Sequence, residues 1–474
     1  MTIPRPRVPI RFESVEKMLN GNDLKSLIVP VEEGLRKFDH LHDEMASSFC
    51  GAFLVLRGET GSGKTTLLHT LGLFRKEVQT VSVRRDEPIR EGLQALGPGE
   101  GAMRVVVIES REALGDTSDV EIESAILAIN AFVRSTAGER TVVVWPCNSE
   151  PIADKLVAAA RQIGGEALLG VEEPVFRYTG PARSEYLRIA RQTVATFNYG
   201  ASLADLGISE ERAEVLAGLA GTIGTLLKLL QVEERKNREI LASKLEAQEQ
   251  CRMWVVVIAR NDPEADVGVL TRGQYSTADV DRLLAATDAN IVKEMKEHPE
   301  RLGLLGTAFD AKILHLPALT AIEVIREYAD EVLRVELAKS GFAVGGATNG
   351  RDRLLDSELA SALQGAPVGT LKRGPKPKAE RLAPFDALMA VAKTNDIALN
   401  KALGQALVDC GLIERFEQEI DLGGGLTRKS DLVCNAHLDP VRLEMMWRSD
   451  TTRSEIANYV LTKLFNYGHA IGFL

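Results

Sequence analysis

The chain has 474 residues, which at roughly 100–200 residues per domain implies two to four domains and excludes a single small module. Hydrophobic residues make up 45% and charged residues 26%, a balance that excludes a largely disordered or fibrous chain. Lys+Arg 57 against Asp+Glu 67 leaves a formal net charge of −10. That argues against a protein that coats nucleic acid non-specifically and leaves room only for a local basic patch.

Residues 1–180 alternate apolar, β-branched runs with helical patterns, the signature of parallel strands joined by crossover helices. The expected strands are Ala52–Arg57, Val78–Val83, Arg104–Ile108, Thr141–Trp145 and Pro174–Tyr178. Residues 181–250 read as helix throughout. Residues 251–340 return to α/β character with no role that the sequence assigns: a strand at Met253–Ala259, helix over Ala278–His298, a short strand at Lys312–His315 and one helix from Ala318 to Leu337. Residues 341–380 are rich in Gly, Pro and Lys and read as a linker between domains. Residues 381–474 read as a smaller α+β domain with helices at Phe385–Ala392 and Leu399–Cys410, strands at Phe416–Leu422, Thr427–Cys434 and Val441–Trp447, and a closing helix from Ser454 to His469.

Cys50, Cys147, Cys251, Cys410 and Cys434 are scattered, odd in number and free of CxxC spacing, which fits reduced thiols in the cytoplasm. No apolar core follows the basic residues near the amino terminus and no run of 18 apolar residues occurs, so neither secretion nor a membrane span is expected. The histidines and cysteines do not fall at zinc spacing, and His69 reads as a packed or solvated residue.

The segment Gly58-Glu59-Thr60-Gly61-Ser62-Gly63-Lys64-Thr65-Thr66 satisfies GxxxxGK[ST], directly after an expected strand and opening an expected helix. Glycines permit the tight loop, backbone N–H groups converge on phosphate oxygens and the helix dipole adds positive potential. Lys64 then reaches the β- and γ-phosphates of a nucleotide and the Thr65 hydroxyl ligates Mg²⁺. A carboxylate on a neighbouring strand end is needed beside the metal or the attacking water, and Glu109, after Arg104–Ile108, is the candidate catalytic and metal-side acid; a solvent-facing strand-end Glu is the plain alternative. Asp116, Asp119, Glu121 and Glu123 read as a solvated loop and helix face. Asn148 ends the fourth strand and is either a polar group orienting water near the γ-phosphate or a turn-former. Arg161, Arg183 and Lys228 are cations available to a phosphate, in cis or from a neighbouring subunit.

The order of phosphate loop, strand-end acid, strand-end Asn and an all-helical segment containing TIGTLLKLL resembles an AAA+ ATPase core with its helical lid, in the branch that includes origin-recognition and STAND-type ATPases. The resemblance covers roughly residues 30–235, and the phosphate loop is its specific part. It implies ATP and Mg²⁺, Lys64 and Thr65 in the phosphate and metal roles, Asn148 as a sensor, and homo-oligomers in which one subunit places an arginine in its neighbour's site. The pair Glu109-Ser110 departs from that family's paired acid. GETGSGKTT also resembles the phosphate loops of DEAH-box helicases and of pumping ATPases, but no DEAH sequence is present.

For residues 381–474 three readings stand side by side. One is a winged helix with Gly423-Gly424-Gly425 at the wing tip. The second is a fold resembling PD-(D/E)xK nucleases, with Asp431 and Glu444 as metal-binding carboxylates and Met446 where that pattern needs Lys, hence a degenerate site. The third is an oligomerisation or docking module. Lys372, Arg373, Lys376 and Lys378 form a basic run suited to DNA backbone or to a solvated linker. The sequence thus predicts an α/β protein, a parallel-sheet P-loop core with helical lid followed by a smaller α+β domain. The expected function is ATP binding and hydrolysis coupled to oligomerisation or conformational change in a DNA-related process. The alternative is a signalling switch acting through an effector protein without contacting nucleic acid.

Overall fold

The computed structural model describes residues 6–19, 21–112, 118–169, 173–245, 251–343, 349–368, 382–423, 428–436 and 440–474. It is an α/β protein in two compact units, one of Val8–Thr193 with Glu214–Gln231 and one of Met1–Arg7, Val194–Ala213 and Val232–Leu474.

In the first unit the strands are β1 (Ala52–Arg57), β2 (Val78–Val83), β3 (Met103–Ile108), β4 (Thr141–Cys147) and β5 (Val175–Arg177), each within two residues of its expected span. They form one parallel sheet in the order β2-β3-β4-β1-β5. The central strands are apolar on both faces because both are covered. Phe53, Val55, Val106, Ile108, Val143 and Trp145 pack under the helices Asp119–Val133 and Glu150–Gly164. Leu54, Leu56, Val105, Val107, Val142 and Val144 pack under Glu32–Ser48 and Lys64–Phe74.

The second unit holds β6 (Arg252–Ala259), β7 (Thr271–Arg272), β8 (Thr277–Ala278), β9 (Lys312–His315), β10 (Arg415–Asp421), β11 (Lys429–Asn435) and β12 (Val441–Arg448) in one mixed sheet of order β10-β11-β12-β6-β9-β8-β7. Here the domain plan read from sequence needs correction. β12 runs parallel to β6 with Val441 opposite Arg252 and Arg448 opposite Ala259, so residues 251–340 and 381–474 share a sheet and the stretch 341–380 does not separate two. The physical reason is that all eight residues of β6 are buried, and a strand with no exposed face or edge needs a partner on each side; β9 and β12 supply them. The β10–β11 hairpin is accordingly the edge of a seven-stranded sheet rather than the wing of a separate winged helix.

Two helical boundaries also differ. Ala318–Leu337 divides into Ala318–Tyr328 and Glu331–Lys339, because the Asp330 side chain accepts the Leu333 N–H and caps a new helix. The expected pair at Phe385–Ala392 and Leu399–Cys410 is one run, Pro384–Asp409, kinked at Asn395 (φ −152°, ψ 59°). The helical region 181–250 is divided between the units. All five cysteines are free thiols. No helix among the described residues is long and apolar enough to cross a membrane.

Candidate functional site

The phosphate-loop sequence leaves the carboxyl end of β1 and enters the helix Lys64–Phe74. Gly61 (φ 84°) and Gly63 (φ 95°) occupy the left-handed region that disfavours side chains. At Gly58 the constraint is space: a Cβ there would lie 2.7 Å from the Tyr178 carbonyl oxygen. Glu59 and Thr60 are exposed, Ser62 is buried, and Thr65 and Thr66 are part-exposed in the first helical turn.

Lys64 is 7% exposed, and its ammonium donates to Gly58 O at 2.6 Å, Glu59 O at 3.1 Å and Asn148 Oδ1 at 2.9 Å. The last contact follows from register. Arg57 pairs with Cys147, so the residue after β4 lies beside the start of the loop, where Gly58 N–H donates to Cys147 O at 3.0 Å. Burial lowers the Lys64 pKa, with the negative charge of Glu112 the largest opposing influence. Glu112 is a carboxylate that sequence reasoning missed: it lies in the irregular segment after β3, and its carbonyl accepts the Asn148 N–H at 3.3 Å.

Glu109 follows β3, but β4 lies between β3 and β1, so its strand is not next to the loop strand. Its Oε1 is 3.1 Å from His69 Nε2 and accepts from Ser82 Oγ at 2.5 Å. Its hydrogen bonds therefore go to His69 and Ser82 and not to Lys64 or Thr65. His69, one helical turn beyond Thr65, thus belongs with the strand-end acid; the i, i+4 spacing from Thr65 was the signal that could have found it.

A second element touches the loop from within the same unit. Gly224 N–H donates to Gly61 O at 3.0 Å and Thr222 Oγ1 to Thr60 O at 3.4 Å, at the start of the helix Ile223–Leu245. Gly224 has no room for a side chain, since a Cβ would stand 2.8 Å from Gly61 Cα. Arg183 donates to Ala220 O at 3.2 Å, close in sequence to this contact, whereas Arg161 pairs with Glu166 at 3.6 Å and Lys228 is exposed.

In the second unit Asp431 and Glu444 do come together, on β11 and β12. Glu444 is fully buried; Lys463 donates to its Oε2 and the Tyr467 hydroxyl to its Oε1 at 2.5 Å. Asp431 Oδ2 accepts the Met445 N–H at 2.6 Å. Burial, reinforced by the charge of Glu444, pushes the Asp431 pKa up to about 7, and burial also raises that of Glu444. Met446 is 1% exposed in the core, as a methionine should be, and the lysine beside the acids comes from the helix Arg453–Ala470 instead. With both Glu444 oxygens engaged, the cluster is a buried ion pair with a tyrosine rather than an open metal site. Lys372, Arg373, Lys376 and Lys378 lie outside the described residues, as do Gly424 and Gly425. No protein-family model matches the chain, and no curated protein matches it.

Proposed function

We propose that the Gly58–Thr66 loop binds ATP with Mg²⁺ and that the chain is an ATPase whose nucleotide state drives oligomerisation or conformational change in a DNA-related process. The observation that carries the nucleotide reading is Lys64: a buried ammonium held by two loop carbonyls and Asn148, with no carboxylate among the described residues hydrogen-bonded to it. A buried ammonium that no hydrogen-bonded carboxylate neutralises is stabilised by an anionic ligand, which also offsets the cost of its burial. The cradle fits a phosphate chain, because Gly58, Gly61 and Gly63 keep side chains off the loop surface and the backbone N–H groups of the first helical turn face the same end.

Within this reading Lys64 holds the β- and γ-phosphates and Thr65 the metal, and Mg²⁺ supplies charge neutralisation on the phosphate oxygens. Asn148 orients the lysine and is placed to sense what the lysine binds. Glu109, oriented by His69 and Ser82, is the carboxylate for positioning water. The Gly224–Gly61 hydrogen bond gives loop occupancy a route into the helix Ile223–Leu245.

Lys64→Ala in the full chain should weaken ATP binding by about 100-fold or more, worth about 2.7 kcal/mol, in a fluorescent-nucleotide titration. Binding at wild-type strength would overturn the assignment. Glu109→Gln should lower turnover at least about tenfold while changing ATP affinity less than about threefold; unchanged turnover removes Glu109 from the chemistry. For the DNA branch, gel shifts across salt concentrations should show binding that weakens with salt and is lost when Lys372, Arg373, Lys376 and Lys378 are all changed to Ala. Absence of salt-sensitive binding in every nucleotide state would leave the effector-protein switch.

A further inference from the structure

Away from the phosphate loop, a second set of ligand-type side chains gathers at the carboxyl ends of two neighbouring parallel strands of the seven-stranded sheet, β6 and β9. β9 ends at His315, whose register partner on β6 is Val257. β6 ends at Ala259 and turns through Arg260, Asn261 and Asp262 into the short helix that begins at Glu264. One donor atom from each of Asp262, Glu264 and His315 lies within 4.8 Å of the other two.

The placement is rigid. His315 is 3% exposed between the fully buried Leu314 and Leu316, and its backbone N–H donates to Glu358 Oε2 at 2.9 Å. The turn is pinned by a reciprocal pair, Asn261 Nδ2 to Thr451 O at 2.7 Å and Thr451 N–H to Asn261 Oδ1 at 3.1 Å. Asp262 itself sits at φ +55°, a left-handed conformation that Asp adopts more readily than most residues. The arginines flanking this turn are committed to other carboxylates: Arg260 to Asp386 at 3.0 Å and Asp450 at 3.3 Å, and Arg453 to Asp266 at 3.1 Å.

We propose that Asp262, Glu264 and His315 form a binding site for a single first-row divalent cation of the Zn²⁺ or Mn²⁺ type. His315 Nε2 and Asp262 Oδ1 are 3.5 Å apart, which is long for a hydrogen bond. Two ligands about 2.1 Å from one tetrahedral metal stand about 3.4 Å apart, so this spacing is the edge of a coordination shell. Two carboxylates supply the charge that neutralises a divalent cation, and the imidazole nitrogen favours Zn²⁺ over the oxygen-seeking Mg²⁺ and Ca²⁺, with Mn²⁺, which the carboxylates suit, as the weaker-binding alternative. Three protein ligands leave at least one position for water, and the Asp262 side chain, 35% exposed, opens the site to solvent on that side. The ion would bridge the ends of β6 and β9 independently of any nucleotide.

The test uses the full chain, stripped with a chelator, and isothermal titration with Zn²⁺ and separately Mn²⁺ in the absence of nucleotide. One equivalent should bind, and the melting temperature should rise with metal. Asp262→Asn and Glu264→Gln, both part-exposed, should each weaken binding at least tenfold, and the double variant should lose the metal-dependent melting shift. His315→Ala should abolish binding; because that residue is buried and its loss could disturb the fold, the two carboxylate variants decide the matter. No saturable 1:1 binding of either metal up to millimolar concentration, or 1:1 binding of unchanged affinity in the double variant, would overturn the proposal.

Discussion

Each sheet has a glutamate on, or directly after, a strand beside the central one, and the two are treated in opposite ways. Glu109 follows the last residue of β3, its side chain 33% exposed and bonded to His69 and Ser82. Glu444 lies in the middle of β12, fully buried and neutralised by Lys463 and Tyr467. A carboxylate past a strand end can be offered to a ligand because water still reaches it, whereas one inside the sheet must be satisfied by the fold itself. Chemistry in this chain is therefore sought at the carboxyl ends of strands: Gly58–Lys64 after β1, Glu109 after β3, Asn148 after β4, and Asp262 and His315 at the ends of β6 and β9.

Removing each glutamate tests that distinction most strongly. Glu444→Ala leaves the Lys463 ammonium buried without its carboxylate and should cost about 3–5 kcal/mol in urea unfolding. Glu109→Ala gives up two part-exposed hydrogen bonds and should cost only about 1 kcal/mol. Similar losses from the two variants would erase the contrast. A sharper version replaces both members of the buried pair by Met: if Glu444 and Lys463 serve only the fold, the double variant should recover most of the stability that Glu444→Ala loses.

The next effect is smaller and depends on pH. The Asp431 carboxyl, pushed up to about 7 from an ordinary value of 3.8, holds its proton more tightly in the folded chain than in the unfolded one. Its contribution to stability is fully present below about pH 4 and is lost as pH rises to about 7. Asp431→Asn should remove that dependence, so the variant should gain on the wild type by up to a few kcal/mol between pH 4 and pH 8, measured by urea unfolding at each pH. A gap that does not widen with pH would mean that Asp431 is solvated after all.

The same contrast explains what could be read from the sequence. Strands β1, β2 and β9 were legible to the residue: β1 and β9 are buried on both faces and read as short apolar runs, and β2, a part-exposed edge strand, shows Val78, Val81 and Val83 set among polar residues. The place of the Gly58–Thr66 segment, a tight loop from β1 into a helix, was legible because its contacts are local, within six residues of Lys64 for two of its three hydrogen bonds. What escaped was non-local. The pairing of β12 with β6 joins segments separated by the whole of residues 260–440, and no run of residues encodes it. The nuclease-like pattern puts the lysine two residues after Glu444, at Met446, whereas it stands nineteen residues on, at Lys463, where a helix brings it to the carboxylate. His69 and Glu109 meet from a helix and a strand end forty residues apart.

The finest test of the strand-end principle is Ser62, inside the Gly58–Thr66 loop. It is 2% exposed, and its hydroxyl makes no hydrogen bond to any described residue. A buried hydroxyl without a partner costs about 1–3 kcal/mol, so Ser62→Ala should leave the unliganded chain equally stable or slightly more stable in urea unfolding. If the hydroxyl is instead kept for a phosphate oxygen, the same variant should lose affinity for ATP by about threefold to tenfold, up to about 1.4 kcal/mol, as a hydrogen bond made only in the complex disappears. A variant that is more stable and binds ATP as well as the wild type would show Ser62 to be a packing compromise of the tight loop. One that is more stable and binds less well would show the loop trading fold stability for ligand, the reverse of what Lys463 and Tyr467 do for Glu444.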